Sequence, residues 1–299
     1  MSKAFRFMVL LCVIAFFCPD NAQAQLCGQR CLADSVCLKT DTLRSVIDTL
    51  DAKVDTTRAE LVLVTWNIGH FSGGKKKMST IAQERFGEKL AEYKKFVYEK
   101  LSPDVICINE LSPEFGKDSR GETRLAEDVV FDGFDNRIVG EQRSYSCNAI
   151  FSKADIKNFK TNDFKSSQAK GADIANAGNY YYLSVDLYIG AEKVKLVCVH
   201  LVPHAPKFRL KQMQELIKRF DKSDRVIMCG DWNAASKDAM DIFVQAGYTV
   251  ANDGSIATYS RKMTPLDNIV VKGLNVSDVR TIETSLSDHY PLICKISLK

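Results

Sequence analysis

The stretch that decides the fold is Val226-Ile227-Met228-Cys229-Gly230-Asp231-Trp232-Asn233. Four apolar residues, followed by a glycine and then by polar residues, predict a buried β-strand that ends at a polar site. Because side chains alternate along an extended chain, Asp231 and Asn233 are expected on one side and Trp232 on the other. Alone, Gly-Asp-x-Asn is also common turn chemistry, so the prediction depends on whether other strands end in the same way.

Other predicted strands do end with side chains of the same chemical kind. Near-continuous apolar runs separated by helical patterns predict sheets that are covered on both faces. A polar residue at each strand end then predicts a shared rim. The residues expected to converge there with Asp231 and Asn233 are Asn67, Glu110, His200, Asp267, Asp288 and His289.

The remaining elements follow from periodicity. Apolar residues at helical spacing predict helices over 86–101, 206–220 and 237–246. Residues 111–147 are expected as irregular chain with one short helix, and residues 153–179 as an exposed connection. Extended patterns predict strands over 61–64, 104–110, 148–152, 180–189, 193–199, 226–229, 266–271 and 292–296.

The first residues have the pattern of an export signal. Lys3 and Arg6 precede an apolar run over 7–17, and Ala22-Gln23-Ala24 matches a cleavage site. The apolar run is about half of the ~20 residues that a membrane-spanning helix needs. We therefore expect a signal peptide over 1–24, a secreted or periplasmic location and no transmembrane segment.

Residues 25–58 are expected to form an N-terminal extension with one amphipathic helix, and residues 59–299 to form the main domain. The 299 residues are 45% hydrophobic and 26% charged, which is ordinary globular composition. The formal net charge of +4 is too small to indicate a nucleic-acid partner by itself. We expect a monomer.

Nine of the ten cysteines fall into three groups, and the tenth, Cys147, borders an apolar run. Two belong to the predicted signal peptide. Cysteines inside apolar strand patterns are expected to pack as small hydrophobic residues, and these are Cys107, Cys198, Cys229 and Cys294. A cluster near the cleavage site would allow one local disulfide with a thiol left over, and its members are Cys27, Cys31 and Cys37.

The polar strand ends favour a site for a hard divalent metal ion. Carboxylates without a cysteine partner suit magnesium, with manganese as the alternative, and suit zinc less well. A carboxylate such as Asp267 would orient the His289 ring and favour its charged form. Each residue alone has an ordinary explanation, such as a turn, a cap or a surface histidine. The Lys75-Lys76-Lys77 run is expected to be a solvated loop. The four carboxylates at strand ends that suit a magnesium ion are Glu110, Asp231, Asp267 and Asp288.

Six motifs in order resemble the endonuclease/exonuclease/phosphatase superfamily, over roughly residues 59–299. Their order makes the resemblance far more specific than any single motif. They are Thr65-Trp66-Asn67-Ile68, Ile108-Asn109-Glu110, Val199-His200-Leu201, Gly230-Asp231-Trp232-Asn233, Leu266-Asp267-Asn268-Ile269 and Ser287-Asp288-His289-Tyr290-Pro291.

The resemblance implies an α/β (α+β) fold, a four-layer α/β/β/α sandwich with two mixed sheets and a site at one rim. It also implies Glu110 as the main ligand of a Mg²⁺ ion, or of Mn²⁺ as the alternative, with Asn67 and Asp288 nearby. Whether one or two ions act stays open.

The resemblance also implies residue roles. Asp231 would orient or deprotonate the attacking water, and Asn233 would bind phosphate oxygens. Asp267 would pair with His289, which would contact the scissile phosphate as an imidazolium. His200 would bind phosphate or assist the leaving group. The residues implied to bind substrate are Asn148 and Arg209.

The function expected from this resemblance is an exported, Mg²⁺-dependent phosphodiesterase that acts on nucleic acid. A sphingomyelinase-like enzyme acting on phospholipid is the second choice and a phosphomonoesterase the third. Inositol phosphatases of the superfamily carry Trp-Cys-Asp-Arg where this chain has Pro265-Leu266-Asp267-Asn268, so the substrate contacts of that subgroup are not expected here. A noncatalytic binding module is the alternative from another class. Residues 111–147 and 153–179 would select the substrate, whose identity stays open, as does endo or exo action.

Overall fold

A computed structural model of the chain describes residues 59–73, 81–143, 146–166 and 180–299. The predicted signal peptide and helical extension, the cysteine cluster of residues 27–37 and the Lys75–Lys77 run lie outside the described residues. Within the described part of the chain, no helix is long and apolar enough to cross a membrane.

The described residues contain fourteen strands, which form two large sheets and one small hairpin. They are β1 (Glu60–Asn67), β2 (Val105–Leu111), β3 (Glu114–Lys117), β4 (Thr123–Leu125), β5 (Asn136–Val139), β6 (Cys147–Ser152), β7 (Ile156–Asp163), β8 (Tyr181–Ile189), β9 (Glu192–His200), β10 (Val226–Asp231), β11 (Thr249–Val250), β12 (Asp267–Lys272), β13 (Leu274–Thr281) and β14 (Leu292–Leu298). The first sheet has the order β13-β14-β1-β2-β6-β5, and the second has the order β11-β12-β10-β9-β8-β7.

Each large sheet contains one parallel pair among antiparallel strands. β1 and β2 are parallel with Asn67 opposite Asn109, and β9 and β10 are parallel with His200 opposite Asp231. All other pairs within the two sheets are antiparallel. Because parallel strands end at the same edge of a sheet, each pair delivers its terminal polar residues to one edge.

In the described ranges, four α-helices accompany the strands, together with short 3-10 turns. The helix predicted over 206–220 has those bounds, and the helix predicted over 86–101 begins as an α-helix and ends in a π-helical turn, Phe96–Leu101. The predicted helix over 237–246 is a 3-10 turn, Lys237–Met240, followed by a short α-helix. The α-helices are α1 (Phe86–Lys95), α2 (Ala126–Val129), α3 (Pro206–Phe220) and α4 (Asp241–Gln245).

Three apolar cores show the four layers directly. The largest lies between the two sheets and receives alternate residues of each strand, such as Leu61 and Leu63 of β1. Val64 and Trp66 of β1 point to the other face, where they pack with Tyr93 of α1. A third core joins the outer face of the second sheet to α3 and α4. The predicted four-layer α/β/β/α sandwich is therefore confirmed.

The strand cysteines behave as predicted. Cys107, Cys198, Cys229 and Cys294 are buried and unbridged in the core between the sheets. Burial raises the pKa of the Cys107 thiol well above its ordinary value. These thiols therefore pack as small apolar groups and are not available as nucleophiles.

Two segments differ from the prediction. Residues 111–147 do contain one short helix, α2, but they also form the β3–β4 hairpin and β5. The predicted exposed connection over 153–179 includes β7, an edge strand whose side chains are mostly exposed. Edge strands carry few buried side chains, so their sequences lack the apolar pattern used to predict the central strands.

The fold makes one position in β10 intolerant of any side chain. Gly230 has a φ of 145°, and a Cβ atom there would lie 1.9 Å from the carbonyl oxygen of Val199. We expect Gly230→Ala to lower the free energy of unfolding by about 3 kcal/mol or more, because the backbone of β9 must move. Urea unfolding followed by circular dichroism measures the change.

Gly87 supplies the matched control. It lies in α1, and a Cβ atom there would meet nothing within 4 Å. Gly87→Ala should be neutral or stabilising by up to about 1 kcal/mol, because alanine favours the helix. Equal unfolding midpoints for the two variants would contradict the close approach of β9 and β10 at Gly230.

Candidate active site

The polar strand ends meet at one cleft of about 400 Å³. Six of the eight residues predicted to converge line it, namely Glu110, His200, Asp231, Asn233, Asp288 and His289. The other two lie directly behind. The Asn67 amide donates to Asp231 Oδ2 at 3.0 Å, and Asp267 Oδ2 lies 2.7 Å from His289 Nδ1. The structure therefore brings all eight together.

Asp231 occupies the centre of this cluster and is almost fully buried. Its Oδ1 accepts a hydrogen bond from the backbone N–H of Asn233 at 2.8 Å. Its Oδ2, already bonded to Asn67, lies 3.7 Å from His200 Nε2 and 3.9 Å from His289 Nε2. One carboxylate oxygen thus faces two imidazoles, which is the arrangement expected of a group that handles a proton.

The position of Asp231 is set by a buried amide from the other sheet. Asn109 Oδ1, on β2, accepts from the backbone N–H of Asp231 at 2.9 Å. Asn109 Nδ2 donates to the carbonyl oxygen of Val199 and to Asn148 Oδ1, both at 2.9 Å. This fully buried side chain therefore ties β2 and β6 of one sheet to β9 and β10 of the other.

His289 and Asp267 form a buried pair. Trp66 Nε1 donates to the His289 carbonyl at 3.0 Å, and the His289 N–H donates to Ser287 Oγ at 3.0 Å. Burial disfavours the imidazolium, but the charge and hydrogen bond of Asp267, with the charge of Asp231, raise the pKa of His289 above its usual 6.5. Burial also disfavours the charged form of Asp267 and so raises the pKa of its carboxyl, although the charge of His289 acts to lower that pKa. His289 is therefore held as a cation.

Glu110 faces two other histidines. Its Oε2 lies 3.2 Å from His70 Nε2, and its Oε1 lies 3.9 Å from His200 Nε2. Burial alone would raise the pKa of Glu110, but the hydrogen bond from His70, the charges of both histidines and a hydrogen bond from Asn67 lower it to about 2. Glu110 is therefore ionised at neutral pH, as a metal ligand must be.

Asp288 is half-buried and shares its carboxylate with an arginine. Arg261 Nε lies 2.9 Å from Asp288 Oδ2. The other oxygen, Oδ1, lies 3.5 Å from the place that a Cβ atom on Gly69 would occupy. The same Cβ atom would lie 3.2 Å from Ser287 Oγ, so the lack of a side chain at Gly69 lets this turn pack closely against the segment that carries Asp288.

Two residues implied to bind substrate lie outside the cleft lining. Asn148 donates from Nδ2 to the Tyr181 carbonyl at 3.0 Å, and its Oδ1 accepts from Asn109. The Arg209 guanidinium donates to the carbonyl oxygens of Val202 and Pro203 at 3.0 and 2.9 Å. Both side chains are engaged in holding the segments beside the site.

Several residues at the site are not among those predicted from the strand ends or from the resemblance. His70 touches Glu110 and has a left-handed backbone with a φ of 56°. The sequence does contain a hint of this role, since His70 is one of four histidines and follows Asn67 by three residues. Other residues that line the cleft come from loops or, for Tyr180, from the first position of the strand predicted over 180–189, and no pattern in the sequence marks them as functional. These are Tyr180, His204, Tyr259 and Lys262.

The donor atoms of the site are compatible with a metal ion. Asp231, Asp267 and His289 each offer a ligand atom, and these atoms lie within 4.8 Å of one another. Carboxylate oxygens of Glu110 and Asp288 face the same cleft. Hard oxygen donors, an imidazolium and buried amides around one cleft define a site for metal-dependent hydrolysis of phosphate esters.

Comparison with known proteins identifies the family. The sequence profile of the Endonuclease/Exonuclease/phosphatase family matches residues 64–289, and the chain belongs to this family. Its members are metal-dependent phosphoesterases and nucleases, so the protein is a hydrolase of that class. A search among curated proteins found no match.

Solved structures with the same fold include several distant relatives. A protein titled endonuclease/exonuclease/phosphatase from Beutenbergia cavernae superposes with a TM-score of 0.61 at 16% identity, over 81% of this chain and 72% of that one. Danio rerio TDP2 complexed with a single-strand DNA product superposes with a TM-score of 0.57 at 15% identity, over 80% of this chain and 99% of that one. The human Nocturnin catalytic domain with bound sulfate superposes with a TM-score of 0.58 at 18% identity, over 81% of this chain and 94% of that one.

The paired geometry predicts how Asp267 controls His289. Replacing Asp267 by asparagine removes the nearby negative charge, so the pKa of His289 should fall by at least about one unit. An NMR titration of the His289 ring in chelator measures it directly. Because an imidazolium is lost as pH rises through its pKa, the charged form should disappear at lower pH in Asp267→Asn. An unchanged titration midpoint would show that Asp267 does not hold the charge.

Proposed function

We propose that the protein is a Mg²⁺-dependent phosphodiesterase that cleaves nucleic acid, and that it acts after export directed by residues 1–24. One observation carries the proposal. Asp231 Oδ2 lies within 4 Å of both His200 Nε2 and His289 Nε2, in the cleft that Glu110 also lines. A base, a fixed cation and an ionised metal ligand are thus available to a single phosphate.

The protein groups divide the proposed chemistry among them. Asp231 would accept the proton of the attacking water, since its Oδ2 faces the cleft and the histidines. His289, held charged by Asp267, would donate from Nε2 to a nonbridging oxygen as negative charge builds up. His200 lies close enough to Asp231 Oδ2 to bind the phosphate or to assist the leaving oxygen.

Asn233 would complete the contacts to the phosphate. Its Nδ2 donates one hydrogen to the Leu201 carbonyl at 2.9 Å, which leaves the second amide hydrogen for a phosphate oxygen. The left-handed backbone of Asn233, with a φ of 51°, follows the end of β10 and turns the side chain toward the cleft.

Glu110 and Asp288 would hold the ion, with Asn67 supporting Glu110. Both carboxylates face the cleft, and Arg261 occupies only one oxygen of Asp288. The buried Asp231-Asp267-His289 group is the other candidate set, but His289 Nδ1 is already bonded to Asp267. When bound, a magnesium ion would stabilise negative charge on the phosphate and lower the pKa of water.

A panel of substrates tests the proposal. Plasmid DNA, RNA, bis-p-nitrophenyl phosphate, sphingomyelin and inositol phosphates would each be incubated with the purified protein, once with Mg²⁺ and once with chelator. Cleavage of DNA or RNA that requires the metal supports the proposed function. Cleavage of sphingomyelin alone, or of inositol phosphates alone, would replace the nucleic-acid substrate. Activity on none of them would favour a binding module.

Loss of either central residue should abolish turnover. We expect Asp231→Ala and His289→Ala each to lower metal-dependent hydrolysis by at least about 10³-fold, because a proton acceptor or a fixed cation is removed. Circular dichroism checks the fold. Asp221→Asn is the matched control, because Asp221 is exposed just after α3 and does not line the cleft. Near-wild-type rates in both alanine variants would contradict the assigned roles.

Glu110 should control metal affinity. We expect Glu110→Gln to weaken Mn²⁺ binding by at least about tenfold, because it removes the charge of the main proposed ligand. Mn²⁺ titration followed by electron paramagnetic resonance measures this without any substrate. Glu127→Gln in α2 is the control, since Glu127 does not line the cleft. Equal affinities would transfer the ligand role to the Asp231-Asp267-His289 group.

A further inference from the structure

A short hairpin, Tyr259–Thr264, forms one wall of the cleft. The Tyr259 N–H donates to the Thr264 carbonyl at 2.9 Å, and the Tyr290 N–H donates to the Thr258 carbonyl at 2.6 Å. Both the backbone N–H and the Oγ of Ser260 donate to the carbonyl oxygen of Asp288, at 2.9 and 2.8 Å. The hairpin is therefore fixed to the segment that carries Asp288 and His289.

Two adjacent basic residues at the hairpin turn have different surroundings. Arg261 pairs with the carboxylate of Asp288. Lys262 also lines the cleft, but its ammonium group has no hydrogen-bond or ion-pair partner among the described residues. The Tyr259 ring lies 5.0 Å from the His289 ring, between the hairpin and the floor of the cleft.

The negative charges on the cleft floor already have partners. Glu110 faces His70 and His200, and Asp288 faces Arg261. Asp231 faces His200 and His289. Lys262 therefore adds a positive charge to the wall of the same cleft that Asp231 and His289 line. An unpaired ammonium beside a phosphate site is suited to a second anion.

We propose that Lys262 forms a subsite for a second phosphate of the substrate, adjacent to the phosphate that is hydrolysed. This inference rests on the proposed function and narrows it to substrates with successive backbone phosphates, such as a nucleic-acid strand. A sphingomyelin head group has one phosphate and a cationic choline, so it supplies no anion for this subsite. The hairpin would thus select the substrate class, while the floor of the cleft carries the reaction.

The experiment compares substrates that differ in one charge. Short single-stranded oligonucleotides would carry either an ordinary phosphate or a neutral methylphosphonate next to the cleaved linkage. For the wild-type protein, we expect the neutral group to lower kcat/KM by roughly tenfold, mainly through KM, because one contact with a charged group is lost. In Lys262→Ala this penalty should shrink to about twofold or less, since the partner of that phosphate is already missing.

Binding provides a second readout that does not require turnover. Fluorescence anisotropy of a labelled oligonucleotide would be measured in chelator at several salt concentrations. The slope of log K against log salt should be shallower by roughly 0.7–1 in Lys262→Ala, because one phosphate contact is lost. Lys222→Ala is the matched control, since Lys222 is exposed beside the other end of β10 and should leave both readouts unchanged.

The outcomes separate this inference from the proposed function. A wild-type protein that cleaves neither oligonucleotides nor bis-p-nitrophenyl phosphate refutes the proposed function. In that case, the difference in salt slope between the wild type and Lys262→Ala still tests whether Lys262 contacts a phosphate. An equal methylphosphonate penalty in the wild type and in Lys262→Ala, with equal salt slopes, overturns the subsite while leaving the phosphodiesterase intact. Cleavage of sphingomyelin in preference to oligonucleotides also overturns it.

Discussion

The hydrogen bonds of the buried Asn109 side chain determine how the two halves of the sandwich meet. Apolar packing between sheets is strong but not directional, so by itself it does not fix how far one sheet slides over the other. The Asn109 amide reaches from β2 to the backbone of β9 and of β10. Its two hydrogen bonds to the other sheet are satisfied only at one relative position of the sheets, and that position places Asp231 beside Asn67. Misplacement would leave a buried amide unpaired, at a cost of about 1–3 kcal/mol per lost bond.

Backbone conformation then completes what the sheets begin. Each parallel pair brings its polar residues to the same edge, but a regular strand would alternate them between the two faces. Glu110 and Asn233 have left-handed backbones with φ values of 52° and 51°, at or just beyond a strand end. Such conformations are unfavourable for residues other than glycine and are retained mainly where function requires them. In this way side chains from both sheets face one cleft.

The central features of this protein could be predicted from its sequence because they depend on patterns within short segments. The apolar runs before Asp231 and Glu110 predicted buried strands, and the repetition of polar strand ends predicted their convergence. The resemblance supplied the four-layer architecture. The β3–β4 hairpin and β7 are not apparent in the sequence, because strands of three or four residues are too short for a clear alternation and an edge strand such as β7 is mostly exposed.

Other features depend on contacts between residues far apart in the chain. Asn109 belongs to the Ile108-Asn109-Glu110 motif, but its structural role depends on contacts with β9 and β10, whose bonded residues lie 90 and 122 positions away in the chain. His70 reaches Glu110 because the turn after β1 has a left-handed backbone, which no spacing rule indicates. Lys262 is adjacent to Arg261 in sequence, and only the structure shows that one of the two is paired.

The buried Asp267–His289 pair is better explained by the proposed chemistry than by a contribution to the stability of the fold. Asp267 is fully buried, and its Oδ1 has no hydrogen-bond partner among the described residues. Removing two charges from water costs several kcal/mol per ion, and replacing such a pair by apolar residues is often neutral or stabilising. The apolar cores on both sides of each sheet supply the stability that tolerates this arrangement. The pair instead provides a cation whose ring is held in one orientation, with His289 Nε2 3.9 Å from Asp231 Oδ2. In the proposed reaction, such a cation would stabilise negative charge on a phosphate.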